Sequence, residues 1–226
     1  MERYNLIEQD KFPKIIWQTY EVDYNDLRDD YKMASMTWKN LNPEWEYKYC
    51  NAEQRRKYIK EYDEKILEFY DICDGVSQSD IWRFVVLYEY GGVYSDMDSV
   101  CTMPLNDMFN NLPISKDVVC FPTPGDSIVT GTFAARKKSN VFKNTIETIA
   151  YGENVSQYDG PYAHIGWKII YPTILKNKED IDFLFVAVGH QAGFGDQFKY
   201  SSNFDVFYHN KHIKYCDLAK QNNWDF

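Results

Sequence analysis

A chain of 226 residues with 44% hydrophobic and 26% charged side chains has the make-up of an ordinary globular protein, long enough for one substantial core. Its net charge of -9 excludes a general nucleic-acid binder, because neutralising phosphates needs a basic face, although a small anion can still be held through a metal ion. No apolar run approaches the roughly 20 residues needed to span a bilayer, and the opening MERYNLIEQDKF lacks the apolar core of a signal peptide.

In chain order, PKIIWQTY (13–20) reads as a buried first strand. Residues 24–43 have helical spacing through Leu27, Tyr31, Ala34 and Trp38, and stop at Asn42-Pro43. EWEYKYC (44–50) alternates aromatic and charged residues as a second strand, and strand, helix, strand opens a parallel α/β sheet. Two short helices are expected over 51–60 and 61–72, with GVSQSD turning the chain into a helix from Ser79 to Tyr90. After Gly91-Gly92, VYSDMD reads as a short strand ending in an acidic pair.

Downstream, residues 117–121 and 127–136 read as strands joined by the turn PTPGD. A helix over 139–151 has Ser139 or Asn140 as its N-cap, and residues 159–175 form a helix kinked at Pro172. DFLFVAV (182–188) and FDVFY (204–208) supply the last strands. No repeat or low-complexity linker marks a boundary, so a single domain over 1–226 is expected. Five cysteines, Cys50, Cys73, Cys101, Cys120 and Cys216, are odd in number and lack a CxxC pair, which suggests reduced thiols and a cytoplasmic setting.

The stretch SDIWRFVVLYEYGGVYSDMDSV (79–100) carries the chemistry. Ile81, Trp82, Phe84, Val85, Val86, Leu87 and Tyr88 cover most of the helix surface, so Asp80 and Arg83 are polar groups in a buried element. Spaced i and i+3, they share one face; taken alone, a structural ion pair explains them equally well. Gly91 and Gly92 permit a sharp turn and the close approach of a ligand. Asp96 and Asp98, two apart, point to one face where a strand continues, or a bend between them aims each at a different part of a ligand; on one face such carboxylates repel unless a cation or hydroxyl partners accept them. Hard oxygens at this spacing suit Mg²⁺ or Mn²⁺, bound through one or two carboxylates and a substrate's phosphates. By itself a D-x-D triplet is far more often a solvated turn than a metal site.

The combined pattern S-D-x-x-R-x-x-x-L-x-x-x-G-G-x-Y-x-D-x-D, standing here as Ser79, Asp80, Arg83, Leu87, Gly91, Gly92, Tyr94, Asp96 and Asp98, resembles the DXD-containing sugar-binding region of retaining glycosyltransferases. Relatives of that kind include initiation-specific mannosyltransferases of the yeast Golgi, bacterial capsular sugar transferases and the glucosylating domains of large clostridial toxins. FPKIIWQTY resembles the family's opening IPKIIHQTW, DGPYA (159–163) its TGP turn, FYHN (207–210) its late FYP, and YCDLAKQNNW (215–224) its closing YAIHHWAGSW. The resemblance implies a GT-A fold: a Rossmann-like nucleotide-binding domain with a mixed central sheet flanked by helices.

It further implies a metal-dependent, retaining hexosyltransferase using Mn²⁺ or Mg²⁺ and a nucleotide sugar. UDP-hexose is favoured over GDP-mannose, and the acceptor is a glycan or lipid-linked saccharide. Asp98 would be the principal metal ligand, and Asp96 would contact the ribose and donor sugar. Asp80 and Arg83 would bind sugar hydroxyls, with Arg83 next to the reacting centre. Tyr94 would lie against the nucleotide, Tyr20 would stack on the base and Trp224 would close over the diphosphate. Retention would follow from front-face substitution, with the leaving diphosphate accepting the acceptor's proton.

This chain departs from the family where relatives place a metal-ligating histidine or glutamate, since Ala219 stands there, and Asn222 replaces a serine. The metal would then rest on Asp98, Asn222, phosphates and water, or recruit Asp217, His209 or His212, with weaker affinity. Two rival readings are a non-catalytic nucleotide-sugar or carbohydrate-binding module and a metal-dependent phosphohydrolase. The second lacks the additional carboxylates that two-metal sites need.

Overall fold

Residues 12–101, 103–111, 114–123, 127–151, 171–183 and 207–209 are described in a computed structural model. The first strand, β1 (Ile15–Thr19), is flanked by β2 (Glu46–Cys50) and β3 (Gly92–Ser95), both parallel to it. Antiparallel to β3 runs β6 (Ser127–Ala135), which pairs with β5 (Val118–Thr123); β7 (Ile181–Phe183) closes the edge parallel to β5. The result is a mixed six-stranded sheet ordered β2-β1-β3-β6-β5-β7, as the resemblance implied. A separate two-stranded ladder joins β4 (Ser99–Cys101) to β8 (Phe207–His209).

Both faces of the large sheet are covered, and the pleat sorts the strand residues between them. Trp17, Tyr94, Val118, Cys120, Phe133 and Ala135 face one cluster, with α2 (Ala52–Tyr62), α3 (Glu64–Asp71), α4 (Gly75–Tyr90) and α6 (Asn140–Tyr151). Their neighbours Ile16, Val93, Val119 and Ala134 face the other, with Trp38 of α1 (Asp29–Leu41) and Leu105 and Met108 of α5 (Leu105–Asn111). The link from β1 to β2 therefore runs over one face and the link from β2 to β3 over the opposite face. That reversal leaves a crevice at the carboxyl ends of β1 and β3, where open α/β sheets bind ligands.

The helices begin where a side chain satisfies their free amides. Asn51 and Gln54 form a reciprocal capping box on α2, and Asp63 accepts from the Lys65 and Ile66 amides of α3. Asp74 accepts from the Ser77 amide at 2.7 Å, so α4 starts at Gly75, four residues before the start expected from its apolar run. Ser139 precedes α6, but its buried hydroxyl makes no hydrogen bond among the described residues, so its side chain is not the cap expected. Pro172 sits in the first turn of α7 (Tyr171–Lys176), where proline is tolerated without a kink; the rest of the expected 159–175 helix lies outside the described residues.

The two glycines serve a different end of the molecule from the one expected of them. Gly91 (φ +67°) terminates α4, its amide donating to Leu87 O, and Gly92 (φ +104°) starts β3. A Cβ on Gly92 would stand 2.4 Å from Ile15 O, so what approaches closely is the backbone of β1 and not a ligand. The four residues of β3 put this turn about 13 Å from Asp96. Gly92→Ala is expected to lose at least about 2 kcal/mol from the combined left-handed backbone and clash, read as a lower urea midpoint with unchanged slope.

Candidate active site

β3 stops at Ser95, and the chain then makes a tight turn in which the Ser99 amide donates to Asp96 O at 3.1 Å. Asp96 opens that turn and Asp98 occupies its third position, so of the two arrangements the spacing allowed, the bend is formed and not the shared strand face. Asp96 keeps the parity of Tyr94 and faces α4, because its amide still pairs with Gly131 O at 2.8 Å. β4 begins immediately after the turn, and its ladder sets the backbone of His209 opposite Ser99, one residue beyond Asp98.

On α4, the i, i+3 spacing puts Asp80 and Arg83 on one face, and the structure aims that face at the end of β3. Arg83 Nη2 lies 2.7 Å from Asp80 Oδ1 and 3.5 Å from Asp96 Oδ1, with side-chain exposures of 5% for Arg83, 14% for Asp80 and 23% for Asp96. Its guanidinium carbon stands 4.5 Å from the centre of the Tyr94 ring. The Tyr94 hydroxyl donates to Asp96 Oδ1 at 2.6 Å. Burial disfavours the charged guanidinium, but Tyr94, Asp80, Asp96 and Asp98 together outweigh it and raise Arg83 above its ordinary value. Burial likewise pushes the Tyr94 hydroxyl well up, so it remains a proton donor to Asp96. The network is a nearly dry cation held among carboxylates, with the two acids as its most exposed part.

Sequence reasoning thus named four residues that the fold brings together: Asp80, Arg83, Tyr94 and Asp96. Tyr94 is fully buried behind Asp96, so it backs the carboxylate and presents no open face to a nucleotide. Tyr20, at the carboxyl end of β1, is half-buried with its ring centre 4.9 Å from that of Tyr31. Asn222 and Trp224, with Ala219, Asp217, His212 and the 159–163 turn, lie outside the described residues.

Two residues in the walls of the crevice escaped the sequence reading. Arg55 of α2 is completely buried and donates to Thr19 Oγ1 (2.8 Å), Tyr20 O (3.1 Å), Glu21 Oε1 (2.5 Å) and the Tyr70 hydroxyl (3.4 Å), which fixes the chain as it leaves β1. Gln18 is a polar side chain in the middle of an apolar strand, also fully buried. The only signal was that polarity, in IIWQT. Trp17, which replaces a family histidine, is core: its Nε1 donates to Gly91 O at 2.9 Å and its ring packs edge-on against Tyr58 and Trp82.

No group of three or more His, Cys, Asp or Glu that could hold a metal exists among the described residues. The donors at the crevice are the hard oxygens of Asp96 and Asp98, and Asp96 Oδ1 is already engaged by Tyr94 and Arg83. That set fits Mg²⁺ or Mn²⁺ taking one or two carboxylates and drawing its remaining ligands from phosphates and water.

Known proteins agree with this geometry. Residues 28–118 match the family model described as a glycosyltransferase sugar-binding region containing DXD motif. The chain is 30% identical over 112 residues to an initiation-specific alpha-1,6-mannosyltransferase of Candida albicans, covering 46% of this chain and 29% of that protein. It is 32% identical over 97 residues to inositol phosphoceramide mannosyltransferase 2 of Schizosaccharomyces pombe, covering 42% of this chain and 28% of that protein. It therefore spans under a third of the length of these relatives. Among solved structures, the PaToxG glycosyltransferase superposes with a TM-score of 0.54 at 15% identity, over 74% of this chain and 70% of that one, a likeness that shows the GT-A fold. The Asp80, Arg83, Asp96 and Asp98 constellation falls wholly within residues 28–118, the stretch of the chain that matches the glycosyltransferase sugar-binding region containing the DXD motif.

Proposed function

We propose that the chain transfers a hexose from a nucleotide sugar to a glycan or lipid-linked saccharide acceptor, with retention of anomeric configuration and with a divalent cation. The observation that carries this is the buried Arg83 held between Asp80 and Asp96 at the carboxyl ends of β1 and β3, the crevice where such sheets bind nucleotides. In this reading Tyr20 lies under the base, Asp96 takes the ribose and sugar, and Asp80 and Arg83 take sugar hydroxyls. Asp98 holds Mn²⁺ or Mg²⁺, with Asn222 or His209 completing the site; the ladder register of His209 opposite Ser99 supports its candidacy. When bound, the cation offsets charge on the departing diphosphate.

The chain's own residues orient the donor and keep water from the reacting carbon. The bond between the anomeric carbon and the phosphate oxygen breaks, and the acceptor oxygen bonds to that carbon from the same face. The acceptor's hydroxyl proton passes to the departing phosphate oxygen, so no additional protein base is needed. Arg83 positions the sugar through hydroxyl contacts, while the carboxylates of Asp80 and Asp96 that it holds in place favour the positive charge growing on the ring. UDP-hexose is the donor expected from the sequence, while the names of the mannosyltransferase relatives support a mannosyl donor.

Calorimetry with UDP-glucose, UDP-galactose, UDP-N-acetylglucosamine and GDP-mannose, each with Mn²⁺ and with chelator, tests this. Selective binding of one donor that disappears with chelator is expected, followed by release of free sugar or its transfer to an acceptor. Donor binding without any turnover would favour the non-catalytic module. No binding by the folded protein would sink the reading.

A further inference from the structure

We propose that Gln18 is a positioning residue that ties the Asp96–Ser99 turn to β1 and so sets the distance between the two ends of the donor crevice. This rests on the reading of that turn as the metal and diphosphate end, with Tyr20 at the base end. Gln18 is fully buried, and both polar atoms of its amide are used. Its Nε2 donates to Asp96 O at 3.0 Å, and its Oε1 accepts from the Tyr47 hydroxyl at 2.8 Å. Tyr47 is the second residue of β2, Gln18 the fourth of β1, and Asp96 follows the end of β3, so one chain of hydrogen bonds runs obliquely across all three parallel strands.

The receiving atom is what gives Gln18 its leverage. Asp96 O also accepts from the Ser99 amide (3.1 Å) and the Ser99 hydroxyl (2.5 Å), so the bonds that close the turn and the tie to β1 meet at one oxygen. Gln18 adds a contact that holds this carbonyl to the neighbouring strand. β1 and β3 pair only through Ile16 with Val93 and Trp17 with Tyr94, so their ladder has ended before Gln18 and Asp96 are reached. Beyond it, the glutamine amide takes the place of a ladder bond. Because Asp98 rides on the same turn two residues later, a shift of the Asp96 carbonyl carries Asp98 with it, while Tyr20, two residues beyond Gln18, is anchored separately by Arg55. Loss of Gln18 therefore leaves each end formed but out of register with the other.

The methionine variant Gln18→Met keeps the size of the side chain and removes both hydrogen bonds. Three measurements are made: hydrogen exchange of the Ser99 amide in the free protein, thermal melting, and calorimetric binding of UDP and GDP with Mn²⁺ and with chelator. A folded variant is expected to exchange the Ser99 amide about 10-fold faster and to bind the nucleoside diphosphate about 10-fold more weakly in Mn²⁺. Binding in chelator should be unchanged. Tyr47→Phe, which frees only the glutamine carbonyl, should shift both readouts in the same direction by about 3-fold, and it carries the test if the methionine variant does not fold. Wild-type exchange and wild-type metal-dependent affinity in the folded variants would overturn the role of Gln18. So would an equal loss with and without metal, which a general loosening of the sheet would produce. If the unmodified protein binds neither diphosphate in Mn²⁺, the proposed function fails first and the role of Gln18 in binding falls with it.

Discussion

Replacing Arg83 by alanine is expected to reduce sugar transfer by on the order of 10³-fold and to destabilise the fold by about 3–5 kcal/mol. Both effects come from one fact: the guanidinium is buried between Asp80 and Asp96, with Tyr94 beneath it. Removing the cation leaves two carboxylates together in a largely dry site, and folding must then protonate one or open the site to water. Arg83→Lys separates the two effects. A lysine keeps the charge but cannot present the planar fork to two carboxylates and a sugar, so most stability should return while transfer stays low. Urea unfolding and transfer rate measured on both variants check this. Should Arg83→Lys recover activity in proportion to stability, Arg83 is a structural ion pair and its contact with the sugar is wrong.

Asp98→Ala should remove metal-dependent donor binding, on the order of 100-fold or more, with a much smaller change in stability. Asp98 sits at the third position of a turn whose closure depends on Ser99 and Asp96 O, so the turn survives its loss. Donor affinity measured with Mn²⁺ and with chelator should therefore become equal in the variant. Unchanged metal dependence would take Asp98 out of the cation site and shift attention to Asp96 and the residues around His209. The contrast with Arg83 is informative: Arg83 is buried among its carboxylates, whereas Asp98 is half-buried on the turn proposed to carry the cation.

The site was more legible than the geometry around it. Asp80 and Arg83 stood out because charged residues in an otherwise apolar helix need partners, and the i, i+3 spacing already paired them. Asp96 and Asp98 stood out as a carboxylate pair after a glycine turn, and of the two arrangements their spacing allowed, the structure takes the bend. A period of two puts both on one strand face only while the strand continues, and here it ends at Ser95: the Asp96 amide still pairs with Gly131 O, and the chain then turns back on the Asp96 carbonyl. Gly91 and Gly92 were rightly seen as backbone positions, but whether a ligand or a strand comes close depends on which end of β3 they occupy. Gln18 and Arg55 carried almost no local signal, since their partners lie 29 to 78 and 15 to 36 residues away.

By itself the sequence determined the order of most strands and helices through the first 150 residues, though not β4 or α5, together with the buried character of α4 and the identity of the acids and the arginine that meet at the crevice. These are properties of spacing and of side-chain chemistry, which act over a few residues and are written locally. The tertiary structure alone decided the mixed strand order, the placement of the glycines against Ile15, the retreat of Tyr94 behind Asp96, and the tie from Tyr47 through Gln18 to the Asp96 carbonyl. Those depend on which strands become neighbours and where each ladder stops, and that is set by burial on both faces of the sheet at once.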